Sequence, residues 1–168
     1  MDCDESFCAR CARHIRNCCQ VPDVYVSPGD RERIASFTGR DDFFEFRQSS
    51  DPSYFEQQHD PAWSEYVVQH DGSRRILKHT AHGDCTFLGP QGCILPTQVR
   101  PLVCRLYPFH YTEEGISQQL VPGCPVELLR PGQDLIQVLN MSLEEARVWH
   151  RQLYEEIRWE KASLCELV

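Results

Sequence analysis

At 168 residues, with 41% hydrophobic and 25% charged residues, the chain has the size and composition of one globular domain with a modest core. Its formal charge of −8, from 25 acidic against 17 basic residues, lacks the basic footprint of a nucleic-acid binder. No apolar run approaches the ~18 residues a membrane span needs, and the acidic opening MDCDESFC has neither the n-region nor the h-region of a secretory signal, so a cytoplasmic protein without membrane or nucleic-acid partners is expected.

Taken in order, residues 1–20 form a cysteine-bearing lead-in with Cys3, Cys8, Cys11, Cys18 and Cys19. Within it, FCARCARHIRNCC carries helix formers between the thiols, and a short helix or turn between Ala9 and Asn17 is predicted, ending by Pro22. Val24 and Val26 suggest a brief extended piece. Ser27-Pro28-Gly29-Asp30 reads as a helix start, with Ser27 as N-cap and Pro28 at the first helical position. Gly39 is a natural stop, which predicts a helix over 28–38.

Asp41-Asp42 suggests the cap of another short helix through Phe43, Phe44 and Phe46, and 49–61 reads as loop. Asp71-Gly72 lies between Tyr66-Val67-Val68 and Arg75-Ile76-Leu77, which predicts a hairpin with strands near 63–70 and 74–79. A second hairpin is predicted around Glu114-Gly115, from Tyr107–Thr112 and Ile116–Val121. After a break at Pro131-Gly132, Ser142-Leu143-Glu144-Glu145 reads as a capping box. Ala146, Trp149, Leu153 and Ile157 then recur at helical spacing, so 143–160 is predicted as an amphipathic helix that covers the core or binds a protein partner. The elements together predict a small, irregular α+β domain spanning 1–168.

Between the hairpins, GDCTFLGPQGCILPTQVRPLVCRLYPF places Cys85, Cys93 and Cys104 among turn formers, a run too rich in thiols and turns for an ordinary helix or strand. Cys124 follows in a Gly-Cys-Pro turn. With Cys8, Cys11, Cys18 and Cys19 these make eight thiols in two sequence groups of four, which matches four-coordinate sites in number. Cys8-x2-Cys11 has the bite of a half-site for zinc or an iron–sulfur cluster, 4Fe–4S included. Gly and Pro let such ligands converge from different backbone directions. Eight thiolates around two divalent ions carry a formal charge of about −4, which Arg100 and Arg105 are placed to offset.

The rival readings are weaker. Disulfides need an oxidising compartment, and adjacent Cys18-Cys19 would strain one. Buried structural thiols do not account for ten cysteines in turn-rich sequence. A redox dithiol is compatible with Cys8-x2-Cys11 alone. His14, His82 and His110 lie close enough in sequence to stand in for a thiol. Cys3 and Cys165 lie at the ends and are left out of the site.

The Cys8-x2-Cys11 and Cys18-Cys19 pieces, the segment YVSPGDRERIASFTG, and above all the Cys-x-Phe-Leu, Gly-Cys-Ile and Arg-Pro-x-x-Cys-Arg-x-x-Pro-Phe pieces carry a resemblance. They are similar to the YkgJ-type CxxCxxCC family of zinc- or iron-chelating domains. The resemblance covers Cys8 to about Cys124 and implies eight metal-directed cysteines: Cys8, Cys11, Cys18, Cys19, Cys85, Cys93, Cys104 and Cys124. It leaves zinc and an iron–sulfur cluster both open. A related cysteine set in flagellin lysine N-methylases implies that the cofactor can be an iron–sulfur cluster, and the alternative readings are a cluster-dependent protein-modifying enzyme and, from the thiols and the final amphipathic helix, a thiol redox sensor. Six residues separate Cys11 from Cys18, a wider gap than the family's usual spacing, which keeps His14 and Cys3 open as substitute ligands.

Overall fold

The computed structural model describes residues 7–14, 23–49, 60–121 and 124–167, and these form helices with three two-stranded antiparallel sheets, an α+β arrangement. Helix α1 (Phe7–His14) carries Cys8 and Cys11. Cys18 and Cys19, the expected stop at Pro22 and most of the loop predicted over 49–61 lie outside the described residues.

Helix α2 (Pro28–Thr38) forms where the sequence places it. The Ser27 hydroxyl accepts the Asp30 N–H at 3.0 Å, and the Asp30 carboxylate accepts the Ser27 N–H at 3.0 Å, a reciprocal capping box. At Gly29 a Cβ would meet the Glu156 carboxylate, which sits over the start of α2 and would have to shift to admit it. The helix ends at Gly39, whose φ of 69° is left-handed and whose N–H reaches the Ala35 carbonyl at 2.8 Å. A Cβ at Gly39 would meet nothing within 4 Å. Gly39→Ala is therefore expected to cost about 1 kcal/mol from backbone conformation alone, read as a lower urea midpoint; an unchanged midpoint would contradict this.

Strand β1 (Phe44–Gln48) stands where a short helix was expected. Asp41 and Asp42 do not cap; they pair with Arg31 and Arg40. Phe44 and Phe46, two apart, share one side of an extended strand. Helix α3 (Pro61–Val67) likewise replaces the expected strand near 63–70. Pro at its first turn favours the helix, and it turns Trp63 onto Tyr25 and Tyr154, with ring centroids 5.3 and 6.2 Å away. That packing overrides the β propensity of Tyr66-Val67-Val68. The Asp71-Gly72 turn does form, Gly72 having φ 81°, but it joins α3 to strand β2 (Ser73–Leu77). β2 pairs with β1 instead, Phe44 opposite Leu77 and Phe46 opposite Arg75. On its other side, Val26 N–H to Arg75 O and Leu77 N–H to Val24 O confirm the extended piece at 24–26.

The central run is less irregular than its turns suggest. Two-residue strands β3 (Leu88–Gly89) and β4 (Gly92–Cys93) pair, and a short helix α4 (Leu102–Leu106) carries Cys104. The second hairpin forms as predicted, with strands β5 (Phe109–Thr112) and β6 (Gly115–Leu120). A 3-10 turn at Val126–Leu128 and helix α5 (Leu135–Val138), capped by Asp134, lead to helix α6 (Leu143–Glu166). Ser142 caps α6, accepting the Glu145 N–H at 3.2 Å, which is the Ser142 half of the expected capping box, and the helix runs past the predicted residue 160.

Two apolar clusters result. One joins Ala146, Trp149, Leu153, Tyr154 and Ile157 of α6 to Leu102, Leu106, Phe109, Val67 and Tyr25. The other gathers Val24, Val26, Ile34, Phe43, Leu77, Phe87 and Leu95 around Cys85. α4 lies between them: Leu102 and Leu106 enter the first, Cys104 borders the second, and Val103 packs on both.

Candidate metal centre

Three of the predicted thiols share one neighbourhood. Cys85 is buried in the second cluster, and Cys93 and Cys104, both half-buried, pack against that same cluster. Cys85 gets its place from backbone pairing with His79 and from the turn in which Leu88 N–H reaches the Cys85 carbonyl at 2.9 Å. Its sulfur accepts the Phe87 N–H at 3.5 Å. Open turn backbone thus supplies the kind of donor that metal-bound thiolates use.

Cys8, Cys11 and Cys124 form a second neighbourhood, which borders β4. α1 packs against β4 and against the 126–128 turn. A Cβ at Gly92 would lie 3.6 Å from the Cys8 Cβ, so the first Cys-x2-Cys sits directly on the strand that carries Cys93. Cys8 is exposed and Cys11 buried. Burial first, then the charges of Cys11 and Cys8, push the Cys124 thiol up to about 11, while a side-chain hydrogen bond with Tyr107 draws it partly back. Cys8, Cys11 and Cys124 therefore lie within electrostatic reach of one another. A bound cation reverses this mutual repulsion and deprotonates such thiols.

All seven described cysteines are thiols. Among the described residues no three Cys, His, Asp or Glu side chains converge tightly enough to hold an ion. The donors nevertheless fit zinc or an iron–sulfur cluster in kind: soft sulfur, partly buried, with a backbone N–H at one of them. His82 is exposed and His110 half-buried on β5, and the His14 side chain, with Cys3, lies outside the described residues.

The arginines act differently from expectation. The Arg100 Nε–H donates to the Leu95 carbonyl at 2.9 Å, and Arg105 donates to the Arg100 and Gln98 carbonyls at 2.8 and 2.6 Å. They staple the 95–105 loop. Arg105 is buried, with its guanidinium 5.9 Å from the centre of the Trp149 ring. Desolvation, helped by Arg33, lowers its pKa, whereas Asp30, Glu156 and Cys104 raise it. Arg105 thus feels the Cys104 sulfur, but its hydrogen bonds are made to backbone.

Sequence reasoning did not connect Asp30 with the helix that carries Cys104. Fully buried, it accepts the Leu102 N–H of α4 at 3.0 Å and Arg33 at 2.7 Å; Arg33 in turn pairs with Glu156 of α6 at 2.8 Å. The only sequence signal was its place in the Ser27 capping box, which speaks of α2 and not of α4. Tyr107 was likewise unassigned within the RLYPF piece.

A family model named CxxCxxCC, described as a putative zinc- or iron-chelating domain, matches residues 3–125. No curated protein and no solved structure matches the chain.

Proposed function

The chain belongs to the CxxCxxCC family of zinc- or iron-chelating domains, and we propose that it is a cytoplasmic protein whose chain, 1–168, forms one unit around zinc or an iron–sulfur cluster. The ligands in this reading are Cys8, Cys11, Cys18, Cys19, Cys85, Cys93, Cys104 and Cys124. The observation that supports it is the packing of α1 on β4, which seats Cys8 beside Gly92-Cys93 although more than eighty residues separate them in the chain. That contact supports reading two cysteine groups far apart in sequence as neighbours.

A bound zinc ion supplies a redox-inert four-coordinate crosslink, and a bound cluster supplies one-electron chemistry. The chain's own part is to hold and shield. Cys85, Cys93 and Cys104 offer sulfur at the border of an apolar cluster, Phe87 N–H supports Cys85, and Arg100 and Arg105 fix the loop between Cys93 and Cys104.

Purification without air, followed by metal analysis and a visible spectrum, tests the reading. A brown protein with a broad band near roughly 400 nm carries a cluster. A colourless one with stoichiometric zinc carries the ion. A folded chain with neither metal nor band would overturn the proposal.

A further inference from the structure

We propose that Asp30 is a positioning residue for the metal site: through the Leu102 N–H it fixes the short helix that presents Cys104. The inference rests on the metal-binding reading and adds to it a residue that carries no metal ligand. α4 is five residues long and opens at Pro101, which offers no side-chain cap of its own. Its first turn is therefore held from outside, by the Asp30 carboxylate at 3.0 Å from the Leu102 nitrogen. Cys104, two residues on, hangs from the same turn through its N–H bond to the Pro101 carbonyl at 2.9 Å.

The chemistry at this position calls for a carboxylate. Three donors converge on its two oxygens: Ser27 N–H, Leu102 N–H and the Arg33 guanidinium. A carboxamide cannot serve all three, because in either orientation its NH2 faces a donor. The side chain is fully buried, so water does not replace a lost bond. Arg33 offsets the buried charge and continues to Glu156, so Cys104 is referenced through Asp30 to both α2 and α6.

A plain structural role would lower stability without moving the metal site, and the test separates the two. Full-length protein is titrated without air with Co2+, whose d–d and thiolate charge-transfer bands report thiolate geometry. Asp30→Asn keeps the size of the side chain and disturbs the Leu102 contact. Ser27→Ala removes the α2 cap and the hydroxyl contact to Glu156 but leaves Asp30 on Leu102. The expected result is Co2+ affinity about tenfold or more weaker for Asp30→Asn, with altered d–d bands. Ser27→Ala should stay within about threefold of wild type, since it loses only a cap. If Asp30→Asn folds only with metal, the d–d bands of the Co2+-refolded protein make the same comparison. Wild-type affinity and spectrum in Asp30→Asn would overturn the proposal, as would equal losses in both variants. Wild-type protein that takes neither Co2+ nor, on anaerobic reconstitution with iron and sulfide, a cluster would instead overturn the metal reading beneath it.

Discussion

Complete chelation is expected to lower the thermal midpoint of the full chain by more than ten degrees and to unpack residues 83–106 first. The reason is how little else holds that stretch. β3 and β4 are two residues each and α4 is five, so backbone pairing contributes little cooperative structure. Its apolar anchors, Phe87, Leu95, Leu102 and Leu106, dock on clusters built mainly by other elements. A thiolate-bound ion can add ~10–16 kcal/mol of folding free energy in small domains. In a chain of this size each 1 kcal/mol moves the midpoint by about 2–4 °C, so even a third of that figure is plainly visible. The α2, β1–β2 and α6 framework has its own caps and contributes to both clusters, and should keep its far-ultraviolet signal. Hydrogen exchange would then show 83–106 opening while β2 stays protected. Cys104→Ser should move the same way, and Cys165→Ser, at an exposed position near the end of α6, should not. A midpoint that does not move after metal analysis reads zero would sink the metal-stabilised reading.

Where local chemistry decides, the elements were legible in the sequence. The Ser27 and Ser142 caps, the Gly39 stop and the Glu114-Gly115 hairpin act within a few residues of themselves, and each forms as read. The failures occur where distant packing decides. Tyr66-Val67-Val68 looks like strand, yet Pro61 starts a helix there and Tyr25 and Tyr154 receive Trp63 across the core. The phenylalanines at 43–46 looked helical behind two aspartates, but those carboxylates are engaged by Arg31 and Arg40, and β2 needs a partner.

The same distinction runs through the site. The thiols announce themselves by residue type, and the turns between Cys85 and Cys93 by Gly and Pro. That Cys104 rides a helix was hidden, because the residue satisfying its first turn is Asp30, 72 positions away from Leu102. Arg100 and Arg105 were assigned to the sulfurs by proximity in sequence, whereas loop carbonyls that no pattern reveals hold them. Spacing shows which groups exist; the long-range contacts that orient them lie in no local window.

Trp149→Ala is expected to cost about 3–5 kcal/mol, the range for emptying a large buried side chain, while Trp159→Ala on the same helix should change stability by no more than about 0.5 kcal/mol. The two tryptophans differ in what they touch. Trp149 is 6% exposed and belongs to the cluster of Leu102, Leu106 and Phe109; Trp159 is 67% exposed. Trp149 also forms the platform beneath the buried Arg105 guanidinium, so its loss leaves a cation beside a void. Because Arg105 adjoins Cys104 and grips the Gln98 and Arg100 carbonyls, the void opens under the segment that carries a proposed ligand. The cost should therefore appear twice: as a lower urea midpoint in metal-free protein, and as weaker metal retention against a chelator. Trp149→Phe, which keeps a ring under Arg105, should lose less of both. Equal stability costs for the alanine variants at 149 and 159 would contradict the placement of Trp149, and unchanged metal retention in a destabilised Trp149→Ala would disconnect α6 from the thiols.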